Sequence, residues 1–298
     1  MTYYVFAYDL EDPDLCLRAT PRLVELHRRY EIPATFFVLG TVLERRGAEL
    51  RAVFGDDPLF DIASHTYSHQ PLKHNRIHGP GVDLGELGRE VGLGLRLVEE
   101  IFERPCVGVR SGYGFYGGLR GEKERLRVIR DSGARYLSSD MRGPADSVPG
   151  GLAQAYRYDE EGVPELLELP GHGWHDNVLK GFYPGPWLAW PPVLRWGIPD
   201  RVPRTPEEEL AVQSAWIERA LALGLDYFSP VYHPHSIYGM TPGCSIVELL
   251  MRCVRERGMA VTTYGALHDA YSALPEMIPG RYAWTWETER QNEKSDAG

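Results

Sequence analysis

Short apolar runs alternate with amphipathic stretches along this 298-residue chain, and polar residues stand at the ends of many of the runs. Tyr3–Tyr8, Thr35–Leu39, Phe60–Ala63, Val107–Val109, Arg135–Leu137, Leu166–Leu169, Tyr227–Tyr232 and Ala260–Thr263 read as strands. Leu84, Leu87, Val91, Leu95, Val98 and Phe102 recur at three and four residues, which is one face of a long helix. Thr20-Pro21 predicts a helix start, with Thr as cap and Pro at the first helical position. Lys123–Arg130 reads as a further helix, and Thr205…Glu208 and Ser245…Glu248 predict capping boxes. Strands separated by helices pair in parallel through crossovers, so the pattern predicts an α/β fold. With seven or eight such strands, a single parallel α/β barrel is the expected form.

The length suits one barrel better than two domains. Residues 1–285 are predicted to form it, and residues 286–298 a disordered tail. Residues 171–204 are irregular and rich in Pro, Gly and Trp, including Trp174, Trp187, Trp190 and Trp196. A loop of that length inside a compact domain is usually functional. A formal net charge of -10 repels phosphate backbones and anionic lipid, which argues against nucleic-acid and membrane partners. Cys16, Cys106, Cys244 and Cys253 form no Cys-x-x-Cys pair and read as buried thiols. The first ten residues lack the basic start and apolar run of a signal peptide, and no stretch approaches a membrane span. The expected location is the cytoplasm.

Asp9, His65, Arg110, Asp140, His172 and His233 all fall at the C-terminal ends of expected strands, where barrels build their active sites. His65 and His69, spaced as on one helical turn, reach a common metal ion. Spacing alone is equally compatible with a solvated polar turn. Asp9, Glu11 and Asp12 form an acidic cluster that repels itself unless a cation compensates. One carboxylate of such a cluster holds metal while another takes a proton from water; a solvated acidic loop is the plain alternative. His233 closes a strand and suits a general acid, with His235 as competitor and a structural role as alternative. His172-Gly-Trp174-His175 reads as a substrate-lining loop rather than a second ligand pair. His27, His74, His78 and His268 read as structural or surface histidines.

Several segments together resemble the polysaccharide deacetylase family (NodB homology, carbohydrate esterase family four). They are the Asp9-Leu-Glu11-Asp12 cluster, Ala34–Gly40, Ser64–His69, Val109–Gly114, Ser139-Asp140, Leu167–Pro170 and Tyr232-His-Pro234, in family order. The resemblance spans about residues 3 to 270. It implies a distorted, NodB-like (β/α) barrel of about seven strands and a metal-dependent deacetylase, a hydrolase of carbon–nitrogen bonds other than peptide bonds. It implies that His65, His69 and an acidic residue hold a divalent metal, foremost zinc, with cobalt, nickel, manganese or iron(II) as alternatives. Glu11 is preferred to Asp12 as that acid. Asp9 would be the base, Arg110 its orienting cation, His233 the acid, and Asp140 the residue that tunes His233. A backbone N–H near Tyr113 would stabilise the oxyanion.

Two departures from the family pattern stand out: Asp-x-Glu-Asp replaces adjacent aspartates, and Arg110-Ser-Gly replaces Arg-x-Pro. With no export signal in view, they shift the expected substrate from an extracellular polymer to a small saccharide or glycoconjugate. Tyr113, His172 and Trp174 would contact it, aromatic faces suiting the C–H face of a pyranose. An amidase or cyclic-amide hydrolase related to allantoinase is the alternative, and a non-catalytic carbohydrate-binding member the second. Family members without export signals point to a homo-oligomer.

Overall fold

A computed structural model describes residues 1–173, 176 and 202–274. The expected disordered tail and Trp174, with most of the long loop, lie outside the described residues.

The first apolar run divides at Phe6 into β1 (Tyr3–Val5) and β2 (Ala7–Leu10). Then follow α1 (Pro13–Tyr30), β3 (Ala34–Val38), α2 (Gly40–Phe54), β4 (Phe60–Ser64), α3 (Leu84–Phe102), β5 (Gly108–Phe115), α4 (Lys123–Asp131), β6 (Tyr136–Asp140), β7 (Tyr156–Tyr158) and β8 (Val163–Glu168). The chain closes with α5 (Pro206–Ala222), β9 (Tyr227–Phe228), β10 (Val231–Tyr232), α6 (Pro234–Met240), α7 (Ser245–Glu256), β11 (Ala260–Thr262) and α8 (Tyr264–Ser272). The expected strand Tyr227–Tyr232 is broken at Ser229-Pro230, because proline has no N–H for a ladder bond.

The main sheet runs β10-β2-β3-β4-β5-β6-β8-β7, parallel except for β7 against β8. Seven strands of this sheet run parallel, in line with the expected barrel, and β1 pairs in parallel with β9 and β11 in a second, three-stranded sheet. The two ends of the main sheet are drawn together by the segment after β8. His172 N donates to Ser229 O at 2.8 Å and Asp176 N to Val231 O at 3.1 Å, both beside β10.

Strand alternation sorts side chains into two layers. Tyr4, Phe6, Tyr8 and Leu10 face the helices and pack with Phe36, Phe54 and Leu23. Val5 and Ala7 face inward with Phe37, Ala63, Leu167, Leu169, Tyr227 and Tyr264. Asp9 continues that inward row one step further, which sets a carboxylate atop an apolar interior. All four cysteines are buried free thiols. No described helix is long and apolar enough to cross a membrane.

Two expected helix starts are corrected. The first helix begins at Pro13, because Asp12 caps it by accepting from Asp14 N and Leu15 N at 2.9 and 2.7 Å. Thr20 and Pro21 are interior, and Thr20 Oγ1 donates back to Cys16 O. At α7 the capping oxygen comes from Thr241, whose Oγ1 accepts from Ser245 N, while Glu248 accepts from Tyr30. Thr205 caps α5 as expected, accepting from Glu208 N.

Candidate active site

Three imidazoles converge on one carboxylate oxygen. Glu11 Oε1 lies 3.3 Å from His65 Nε2, 3.0 Å from His69 Nε2 and 3.2 Å from His233 Nε2. Glu11 follows β2, His65 and His69 follow β4, and His233 follows β10, so the strands deliver all four to one end of the sheet. Asp12 does not compete for this place, since its carboxylate is engaged as the α1 cap.

His65 Nδ1 lies 3.2 Å from Arg110 O, an acceptor, so this nitrogen carries the proton. That leaves Nε2 as the nitrogen facing the carboxylate oxygen 3.3 Å away. Two imidazole nitrogens and a carboxylate oxygen gathered at one point are a donor set that fits a divalent metal. Glu11, His65 and His69 have ligand atoms close enough to share one ion.

The His65–His69 segment is not the helical turn expected from its spacing. It is a loop with Thr66 and His69 both in the left-handed region, at φ 66° each. Such conformations are costly for side chains with a Cβ and persist only where surroundings impose them. Here α3 does so. Glu90, fully buried on its inner face, accepts from Ser68 N at 2.8 Å and from Ser68 Oγ at 2.5 Å. Gly94 brings the helix against the loop; a Cβ there would lie 2.8 Å from Thr66 C. Gly112 does the same from β5, where a Cβ would lie 2.9 Å from His69 Cα. The glycine that departs from the family's Arg-x-Pro pattern thus makes room for a candidate ligand.

Asp9 is buried beside this cluster. Arg110 Nη1 donates to Asp9 Oδ1 at 2.7 Å, and Asp9 Oδ2 is 3.9 Å from His65 Nε2. Arg110 is fully buried, its Nε donating to Ser138 Oγ and its guanidinium 4.0 Å above the Phe37 ring. The pair is thus oriented from below by the barrel interior.

His233 has a carboxylate on each nitrogen. Asp176 oxygens lie 3.2 Å from Nδ1, and Asp176 Oδ2 also accepts from His233 N and from Ser236 Oγ. Burial alone would lower the His233 pKa, but the charges of Glu11 and Asp176 outweigh it and hold it well above the usual range. Burial would likewise raise Glu11, but His233 and His69 hold it well below its usual value. Asp176 is the functional residue missed in the sequence, where one acid in an irregular stretch carries no pattern. Glu90 had a legible signal, a carboxylate on the apolar face with Leu87 and Val91.

Two expected roles are corrected. Asp140 does not provide the carboxylate on His233; Asp176 does. Asp140 accepts from Gly117 N at 3.0 Å and lies 3.2 Å from Tyr156 Oη, where burial and neighbouring Glu168 push its pKa up to about 7. His172 is not a substrate contact but a fully buried structural residue. Its Nε2 donates to Ala153 O at 2.7 Å and its Nδ1 accepts from Ser229 N at 3.0 Å, and burial lowers its pKa to about 4.

Tyr113 lies against the site as expected, its ring edge-to-face with His69 at 4.7 Å. Burial and the charge of Glu11 raise its hydroxyl pKa. His78, expected to be structural or surface, stacks on Tyr113 at 3.8 Å between centroids. Burial, Arg142 and His69 lower its pKa to about 4.

Residues 11–119 match the polysaccharide deacetylase family model. No curated protein sequence matches the chain. Among solved structures, a Mycobacterium smegmatis protein assigned as a polysaccharide deacetylase is 18% identical, with 93% of each chain covered and a TM-score of 0.62. PuuE allantoinase is 14% identical over 93% of this chain and 91% of its own, with a TM-score of 0.60. The Bc1960 peptidoglycan N-acetylglucosamine deacetylase is 12% identical over 89% and 86%, with a TM-score of 0.51. The chain therefore has the NodB-like fold of the polysaccharide deacetylases and matches their family model through residues 11–119, the stretch that carries Glu11, His65, His69 and Arg110.

Proposed function

We propose that this protein is a metal-dependent hydrolase that removes an N-acyl group, foremost acetyl, from an amino sugar or glycoconjugate. The observation that carries the reading is the convergence of Glu11, His65 and His69 beside the buried Asp9–Arg110 pair. Glu11, His65 and His69 would hold the metal. When bound, a divalent metal of this kind polarises a carbonyl and lowers the pKa of water.

Asp9 acts as the base that accepts the water's proton, and Arg110 keeps its other oxygen occupied and its carboxylate aimed. His233, protonated at Nε2 and braced at Nδ1 by Asp176, delivers a proton to the leaving amine. Without that proton the departing group would be an amide anion, which is a very poor leaving group. Activity therefore requires one ionised carboxylate and one imidazolium.

A cyclic-amide hydrolase is a second reading. Supporting it are the allantoinase likeness, with a TM-score of 0.60, and the Asp-x-Glu arrangement. The two are separated by turnover. Protein loaded with zinc, cobalt, nickel or manganese should release acetate from N-acetylglucosamine oligomers and leave allantoin and cyclic imides intact. The opposite preference establishes the second reading. Protein that retains no metal and gains no activity on either class with any of these ions rejects both.

A further inference from the structure

Tyr113 has an unusual combination of surroundings. Its ring is half-buried against His69, yet its hydroxyl makes no hydrogen bond to the rest of the protein among the described residues. The hydroxyl is not among the buried unpartnered polar atoms, so it faces the open side of the site rather than the core. The phenol also lies within reach of the charge on Glu11. A phenol held by its ring beside the proposed metal ligands, with its O–H open to the site, is available to a ligand.

The ring that carries it is held. His78 lies nearly parallel on one face of Tyr113, at 22° and 3.8 Å. The segment bearing His78 is fastened to the end of β5, which bears Tyr113. The buried Asn75 accepts from His78 N at 3.1 Å and donates to Gly114 O at 3.1 Å. Asp146 clamps the same two pieces, accepting from Arg76 N and Tyr116 N at 3.1 and 2.9 Å. His78 therefore occupies a ring face that would otherwise be free to stack on substrate, and leaves the hydroxyl as the part of Tyr113 that meets it.

We propose that the Tyr113 hydroxyl donates a hydrogen bond to the acyl carbonyl oxygen of the substrate, and that His78 is the positioning residue that holds it in place. This rests on the hydrolase reading above and adds to it a side-chain donor for the acyl oxygen and the residue that positions it. A phenol aimed where charge develops on that oxygen stabilises the transition state more than the bound substrate, so its loss falls mainly on kcat.

The test uses zinc-loaded full-length protein, with acetate as binding probe and N-acetylglucosamine trisaccharide as substrate. Tyr113→Phe should weaken acetate binding about tenfold and lower kcat/KM roughly 10- to 100-fold, with zinc affinity unchanged. His78→Ala should lower kcat similarly, with KM nearly unchanged, and His78→Phe, which keeps the stack, should restore activity to within about threefold of wild type. In the Tyr113→Phe background, His78→Ala should cost nothing further. Wild-type kcat and acetate affinity in Tyr113→Phe overturns the proposal, as does an equal cost of His78→Ala in both backgrounds. If the wild-type protein gains no trisaccharide hydrolysis with zinc, cobalt, nickel or manganese, the N-acyl hydrolase reading falls and this inference with it.

Discussion

Asp176 holds His233 by both the backbone N–H and the ring, through oxygens 3.0 Å from His233 N and 3.2 Å from Nδ1. The contact fixes which nitrogen faces Glu11 and keeps the ring charged. Replacing Asp176 by Asn keeps the shape and removes the charge. A raised pKa means the proton is held until the pH climbs past it, so lowering that pKa brings the loss to lower pH. The alkaline limb of the kcat/KM profile should therefore move down by at least about one pH unit. An unmoved limb would show that Asp176 has no part in the protonation of His233.

Asp9→Asn should cut kcat by roughly 10³-fold or more while zinc content stays at the wild-type level. The substitution removes the base but leaves Glu11, His65 and His69 in place. Elemental analysis beside single-turnover kinetics separates the two effects, and an active Asp9→Asn protein would contradict the proposed mechanism.

Arg110→Met removes a fully buried cation and leaves Asp9 buried and unpaired. Breaking such a pair costs about 3–5 kcal/mol. Chemical denaturation should show a loss of that size. A change under about 1 kcal/mol would mean that Asp9 finds compensation elsewhere.

Gly112→Ala places a methyl 2.9 Å from His69 Cα. The loop must shift, and the candidate ligand with it. Zinc affinity should fall about 10- to 100-fold, as for other losses of support behind a metal ligand. Competition with a chromogenic chelator measures it, and unchanged affinity would place the metal away from His69.

His27 and His172 are both fully buried, with pKa values lowered by burial to about 4. Tyr8 and Ile32 O hold His27 much as Ala153 O and Ser229 N hold His172. In the unfolded chain each takes a proton near pH 6.5. Below that pH the unfolded state binds protons that the folded state refuses, so stability falls as pH drops from about 6.5 towards 4. Each histidine contributes a slope of up to about 1.4 kcal/mol per pH unit. Denaturation midpoints across this range should show the decline, and His172→Gln should make it shallower.

The fold was legible because its signals are local. Short apolar runs located the strands and period-3.6 hydrophobicity the long helix α3, and the parallel arrangement followed from their alternation. The boundaries that shifted did so where two signals competed. Asp12-Pro13 and Thr20-Pro21 are both plausible caps, and Asp12 starts the helix because its oxygen reaches Asp14 N and Leu15 N while Thr20 turns back to Cys16 O.

Much of the candidate site was legible for the same reason. Asp9, Glu11, His65 and His233 fall at or near strand ends, and a strand end is visible in sequence; Arg110, expected at a strand end, lies inside the longer β5. Which partner each one meets was not, because contacts across the barrel depend on register and curvature. The chain alone determined a parallel α/β barrel with an acidic cluster and histidines at one rim. Tertiary structure decided that Glu11 faces the imidazoles while Asp12 caps a helix. It set Asp176 rather than Asp140 on His233, and turned His172 into the core. Segments distant in sequence meet only when the sheet curls and draws β8 and β10 together, and no local pattern encodes that closure.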